Sequence, residues 1–293
     1  MLVVKKENML KILVIDDEKP TLSMFRLFLT AYGYQVIVAE DGKTGIEIFK
    51  TEQPQIVFTD IKMPGMDGIE VLKKIRSFPL ACKIGSSEQI EICTEQSHKT
   101  EVIVITGHGD IDKAIEALDL GASDFINKPV EKRALESALK RAELRIRSSS
   151  MRSSDLTSES ASNSASRTGS NLTSGSNSIN SLETSSTIFK RGSKSTLTLQ
   201  ITGRFTAESP AAQQMTLASK SVILNDIRVV AVHFAPDFSI NRDGFDCLIN
   251  FMEWVRDQGI SIAVDGLSYN YIRFFQMAGL HEIAHIIESQ CDE

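Results

Sequence analysis

Asp60 closes the apolar run QIVFT, and the residues after it, with Pro64, Gly65 and Gly68, cannot prolong a strand. A strand buried on both faces that ends this way places a carboxylate at the carboxyl edge of a parallel sheet, where α/β proteins bind ligands. Other apolar runs end in related chemistry. ILVIDDE closes on Asp16, Asp17 and Glu18, VIVITGHGD on Thr106, Gly107 and His108, and DFINKPV on Lys128 before Pro129. Clustered carboxylates repel one another and hold a hard cation well, so Asp16, Asp17 and Asp60 together suit Mg²⁺. A carboxylate attacks phosphorus competently once cations neutralise the incoming oxygens, and Lys128 supplies a point charge for that purpose. Thr106 offers a hydroxyl to a phosphoryl oxygen, and Gly107 beside it leaves room for the group. Taken singly, a capped turn explains Asp16 and Asp17 and a strand end explains Thr106; taken together they describe one site.

The elements that must position these groups are legible in the hydrophobic periodicity. Strands are expected over 11–15, 35–39, the run ending at Asp60, 102–106 and 123–126. Helices are expected over about 21–31, with Leu22, Phe25 and Leu29 inward, and over 42–51, with Ile46 and Phe49 inward. Further helices are expected over 68–77, with Ile69, Leu72 and Ile75 inward, and over 111–120 and 131–147. Strands alternating with helices imply a doubly wound, five-stranded parallel sheet over residues 9–147. Residues 79–99 exceed the connection such a fold needs, and SEQIEIC alternates like a strand, so a small hairpin or flap is expected there.

The acidic pair, the lone Asp60, Thr106 and Lys128-Pro129, in this order, resemble the receiver domain of two-component response regulators over roughly the first half of the chain. The resemblance implies that Asp60 is the phosphoacceptor for a histidine kinase or phosphotransfer protein. It implies that Asp17 and Asp60 bind Mg²⁺ directly, Asp16 through water, and Lys62 through its backbone carbonyl. Thr106 and Phe125 would form the switch, Phe125 turning inward when Thr106 moves toward the phosphoryl group. Such a protein is no enzyme beyond its own phosphorylation and dephosphorylation.

The chain has 293 residues and 42% hydrophobic content, enough for two domains with their own cores. The net charge of -6 provides no global basic footprint, and no helix-turn-helix pattern stands out, so nucleic acid is not an expected partner. No apolar run is long enough to span a bilayer and the first residues lack a signal-peptide pattern, so the expectation is a cytoplasmic protein without a membrane partner. Cys82, Cys93, Cys247 and Cys291 are widely spaced, which fits reduced thiols.

Residues 148–190, dominated by serine, read as a flexible linker unable to offset its own ordering entropy. Residues 195–293 read as a second, smaller α/β unit: STLTLQITG, RVVAVHF and ISIAVDG as strands, and PAAQQMTLAS, DGFDCLINFMEWVRDQG and NYIRFFQMAG as helices. In the long helix Phe245, Leu248, Ile249, Met252 and Val255 face inward. VVAVHFAPDFSINRDG, the following helix, ISIAVDG and FFQMAGLHEI resemble the STAS domain of anti-sigma-factor antagonists. That resemblance implies an anti-sigma or kinase-like protein as partner, with partner switching as the output; a phosphorylation-dependent dimer is a further expectation. Asp243 stands where that family carries a phosphorylated serine. Two readings of Asp243 stay open: a partial phosphoserine mimic or the N-cap of the long helix. A scaffold with an unphosphorylated receiver and a transcriptional regulator with an unusual output are the alternatives in function.

Three patterns compete for attention elsewhere. His281, Glu282 and His285 spell HEIAH, the pattern of zinc hydrolases, but that chemistry needs a continuous helix and a third ligand, whereas Gly279 precedes the motif and eight residues follow it. Cys82, Cys93 and His98 are either a metal cluster or part of a bland insertion. His108 either tunes loss of the phosphoryl group or is a solvated loop residue.

Overall fold

The computed structural model describes residues 9–78, 81–83, 90–92, 100–107, 110–155, 186–191, 194–224 and 227–287. In the first half, β1 (Lys11–Ile15), α1 (Lys19–Ala31), β2 (Gln35–Ala39), α2 (Gly42–Glu52), β3 (Ile56–Asp60) and α3 (Gly68–Ser77) follow one another. After an inserted antiparallel hairpin, β4 (Ala81–Lys83) and β5 (Ile90–Ile92), come β6 (Glu101–Thr106), α4 (Ile111–Asp119), β7 (Asp124–Asn127) and α5 (Lys132–Asp155). The sheet order is β2-β1-β3-β6-β7, every pair parallel. β3 and β6 are buried along their whole length, as strands covered by helices on both faces must be. The strand ending at Asp60 packs so closely on α3 that a Cβ at Gly68 would lie 2.1 Å from the Asp60 carbonyl oxygen. Glycine is required there, and it fixes the depth of the acid.

Residue chemistry explains the helix starts. Asp41 accepts from the Thr44 N–H at 2.9 Å and Asp67 from the Glu70 N–H at 2.8 Å, N-capping α2 and α3. α1 begins two residues earlier than periodicity alone indicates, because Pro20 fits the first turn of a helix. α5 corrects the expected start of the linker: it passes Arg147 and continues to Asp155, since serine interrupts a helix far less than Gly or Pro does.

The second half contains β8 (Ser186–Arg191), β9 (Lys194–Ile201), β10 (Arg204–Phe205), α6 (Pro210–Leu224), β11 (Ile227–Phe234), β12 (Ser239–Ile240), α7 (Arg242–Asp257), β13 (Ser261–Asp265), α8 (Tyr269–Met277), a 3-10 turn (Leu280–Glu282) and β14 (His285–Ile286). Its main sheet runs β14-β13-β11-β9-β8, parallel except for the antiparallel β8–β9 pair. β8 begins inside the stretch expected to be linker, where composition alone indicates no strand. On α7, Phe245, Leu248, Met252 and Val255 are buried and Ile249 partly so, as the helical spacing requires.

The two halves share a core. α8 packs against α5 and β7, and α7 against α4. The buried apolar cluster beneath α2, α3 and α4 runs through Phe125 without interruption into the interior of the second half. A separate cluster fills the other face of the first sheet, under α1 and α5.

Candidate functional site

The carboxylates of Asp16, Asp17 and Asp60 converge, each offering an oxygen within 4.8 Å of the others. β1 and β3 are adjacent in the sheet, so their carboxyl ends necessarily deliver these acids to one place. Asp16 is fully buried and Asp60 is 4% exposed, while Asp17 faces solvent. Lys128, just past β7, brings its Nζ to 3.0 Å from Asp60 Oδ2, 3.2 Å from Asp16 Oδ2 and 3.8 Å from Glu18 Oε2. Burial raises the pKa of both Asp16 and Asp60 above the ordinary carboxyl value, despite the lysine. Burial also opposes the charge on Lys128, but Asp60 and Asp16 outweigh it and its pKa lies above its usual value.

One ammonium therefore serves two buried carboxylates and approaches a third, exposed one. Asp16 Oδ1 accepts from the Glu18 N–H at 2.8 Å, but among the described residues Asp16 Oδ2 is buried without a hydrogen bond. The lysine lies within ion-pair distance of that oxygen without making a bond of proper geometry, so its electrostatic demand is only half met. A buried, under-served carboxylate oxygen inside a cluster of acids is what a hard cation satisfies. The donor set is compatible with Mg²⁺, the ion that the resemblance to receiver domains implies.

The remaining predicted groups lie around this cluster. Thr106, fully buried at the end of β6, donates its hydroxyl to Asn127 Oδ1 at 2.7 Å. Asn127 was not singled out in the sequence; its register position opposite Thr106 is the signal that identifies it. Lys62, two residues after Asp60, extends its Nζ to Asp110 at 2.6 Å, and both groups approach Gly107. His108 lies outside the described residues. Phe125 is completely buried, its ring 5.4 Å from that of Tyr271 and 5.3 Å from that of Phe274. Its ring neighbours come from the second half of the chain.

Around Phe125 the contact between halves is dense in specific interactions. Arg141, 5% exposed, stands 3.3 Å from Asp124 Oδ2, donates to Ser268 Oγ at 2.6 Å and to the Phe238 carbonyl at 2.9 Å, and lies 4.7 Å from the centroid of Tyr271. Asn270 donates to the Ala134 carbonyl at 3.2 Å, and Arg273 donates to Glu131 at 2.7 Å. The Arg242 N–H donates to Asp119 at 2.6 Å.

The structure decides the open reading of Asp243 and places HEIAH off a continuous helix, as Gly279 indicates. Asn241, not Asp243, caps α7: its side chain accepts from the Gly244 N–H at 2.9 Å, and Asp243 is an exposed residue of the first turn. HEIAH does not lie on one helix. His281 and Glu282 belong to the 3-10 turn and His285 to β14, so the histidines lack the common helical face that zinc hydrolysis requires. Among the described residues, the only group of acids, histidines or cysteines close enough to share a metal is the aspartate cluster. Cys93, His98 and Cys291 lie outside the described residues, and Cys247 is a free thiol. No helix among the described residues is long and apolar enough to cross a membrane.

Comparison with known proteins agrees with the geometry of the first half. Residues 12–140 match the model of the response regulator receiver domain. Regulatory protein AtoC of Escherichia coli (strain K12) is 31% identical over 132 residues, which are 45% of this chain and 25% of AtoC. The chain therefore spans about a quarter of that curated relative. A response regulator receiver domain protein from Clostridium thermocellum is 32% identical, with 47% of this chain and 96% of that one covered and a TM-score of 0.39. The receiver domain of NtrX from Brucella abortus is 29% identical, with 45% and 96% covered and a TM-score of 0.37. Residues 12–140 are a receiver domain of the two-component response regulators, with the five-stranded parallel sheet described above.

Proposed function

We propose that Asp60 is the phosphoacceptor and that its phosphorylation controls the surfaces that the second half, a STAS-like output unit, presents to a protein partner. A phosphorylated histidine kinase or phosphotransfer protein loses its phosphorus–nitrogen bond as a carboxylate oxygen of Asp60 forms a bond to phosphorus. Lys128 pairs with an oxygen of the transferred group. Asp17 and Asp60, with Asp16 and the Lys62 carbonyl, would hold Mg²⁺, which neutralises the crowded oxygens. The Thr106 hydroxyl leaves Asn127 for a phosphoryl oxygen, vacating space beside Phe125.

One observation carries the reading. Phe125 lies three residues from Lys128 and is clasped by Tyr271 and Phe274, so a shift at the site is delivered directly to α8. The STAS-like reading of residues 195–293 is supported by the parallel β9-β11-β13 arrangement and by the loop that opens α7. In the resemblance that loop meets the partner; here Arg242 within it is tied to Asp119 of α4. The receiver and an anti-sigma or kinase-like partner would then compete for one surface.

Hydrogen exchange on the full-length protein, with Mg²⁺ and a small-molecule phosphodonor, tests this. Amides of α8 should exchange faster on phosphorylation, and Asp60→Asn should abolish the change. Unaltered exchange in a fully phosphorylated sample would sink the coupling. Acid-labile phosphate on Asp60→Asn would sink the choice of acceptor.

A further inference from the structure

On the side of the receiver away from the aspartate cluster, a cavity of about 420 Å³ opens between the two halves, lined among others by Arg76 of α3, Arg145 of α5 and Arg204 of β10. Its size falls within the roughly 300–1,000 Å³ of small-molecule sites. Arg76 is held by neutral groups: Nε donates to the Gly121 carbonyl at 2.8 Å, Nη1 to the Thr100 carbonyl at 2.9 Å and Nη2 to Ser123 Oγ at 3.4 Å. Arg145 gives its Nε to Glu101 at 2.6 Å, while both of its terminal nitrogens are buried without a hydrogen-bond partner among the described residues. Arg204, on the second half, donates to the Leu118 carbonyl at 3.1 Å.

Three arginines thus line one cavity, with Glu101 the carboxylate paired to one of them. Asp119 also lines the cavity, but it is held by the Arg242 N–H and lies near that residue's guanidinium. Burial pushes the Arg76 pKa down to about 10; Glu101 counteracts this, and the neighbouring Arg204 adds to it. Positive charge exceeds negative charge here by about two units, and a fork of two buried donors has no acceptor. Each of these features is satisfied by a doubly charged anion with several acceptor oxygens.

We infer that this cavity binds a small phosphate-bearing anion, a free phosphate or a phosphate monoester, held between Arg76 and Arg145 of the receiver and Arg204 of the second half. Its charge offsets the excess of arginine, and a turn of the Arg145 side chain, whose terminal nitrogens are enclosed in this structure, brings these donors to its oxygens. Because it draws on both halves, the ligand also strengthens their contact, independently of phosphorylation at Asp60.

Calorimetric titration of the full-length protein in EDTA, with inorganic phosphate and separately with AMP, tests the inference. Saturable binding of either is expected, weakened about tenfold or more by Arg145→Gln and by Arg204→Gln, and unchanged by Arg26→Gln on the exposed face of α1. Tighter binding of AMP assigns the site to an ester; equal or weaker binding assigns it to free phosphate. Arg204 is exposed, so its variant keeps the test valid if Arg145→Gln folds poorly. No saturable heat up to about 10 mM of either ligand, or binding indifferent to both arginine variants, overturns the inference. Binding that emerges only after phosphatase treatment also overturns it, assigning the cavity to a phosphate carried covalently by the chain.

Discussion

Two regions of this molecule lie three residues apart on one strand end and have opposite electrostatic character. Around Lys128, buried carboxylates crowd together and one lysine cannot satisfy them all. Around Phe125, aromatic rings fill the space and the buried Asp124 is matched by one likewise buried cation, Arg141, at 3.3 Å. The first region is organised to change when charge arrives; the second is organised to hold two units together. In the proposed function a shift beside Lys128 reaches Phe125 because β7 leads from one to the other and a close-packed interior passes displacements on.

Removing the charge partner at the interface should break the contrast most severely. Arg141→Met keeps the aliphatic length but leaves Asp124 buried and unpaired, an expected loss of about 3–5 kcal/mol. Urea denaturation of the full-length protein measures it. Adding Asp124→Asn should restore much of the loss, because the stranded charge goes with it. A double variant no better than Arg141→Met would show that the contacts to Ser268 and the Phe238 carbonyl, not the ion pair, carry the effect.

Phe125→Leu retains an apolar group and removes two ring–ring contacts, each worth about 0.5–1.5 kcal/mol beyond area burial. The expected loss is about 1–3 kcal/mol, with phosphate uptake at Asp60 preserved and the exchange response of α8 reduced. Loss of uptake instead would mean that the aromatic region shapes the acid site rather than receiving its signal.

At the acid site the same kind of change should have the opposite sign. Burial lifts the Asp60 pKa, so the folded protein holds that proton to higher pH than the unfolded chain does. Stability contributed by the protonated group is present below the ordinary carboxyl value and is lost as pH rises through the raised one. At neutral pH, Asp60→Asn should stabilise the magnesium-free protein and raise its melting temperature. Differential scanning calorimetry with EDTA measures it, and the gain should shrink toward acid pH. A loss of stability would place the Lys128 pair above the desolvation of the acid.

The same contrast explains what was legible in the sequence. The acid site was readable because Asp16, Asp17, Asp60 and Lys128 each end a strand, and in a parallel sheet adjacent strand ends converge whatever the rest of the chain does. The interface was not. Phe125 reads as a switch residue of the first half alone, and no pattern in the sequence marks Tyr271, Phe274 or Arg141 as its surroundings. Their meeting depends on how two separately patterned units pack, and periodicity within one element cannot report that. Asn127 was missed because its polar side chain gains meaning only from its register with Thr106. The early resumption of strand at β8 was hidden by serine and threonine, whose composition matches both a tether and an edge strand.

Asp243 tests the smallest effect and the most specific idea. With Asn241 as the cap, Asp243 retains only its favourable charge in the first turn of α7, worth about 0.3–1 kcal/mol at an exposed position. Asp243→Ala should therefore cost no more than that in chemical denaturation, and Asp243→Asn about the same. The side chain is exposed beside Arg242, whose backbone is fixed to the receiver, so it is placed to meet a partner only when that contact loosens. If it acts as a standing substitute for a phosphorylated serine, Asp243→Ser should leave stability nearly unchanged while altering affinity for the output partner in the phosphorylated protein alone. An equal change with and without phosphorylation would mean that the receiver does not cover this loop, and the competition between receiver and partner would have to be abandoned.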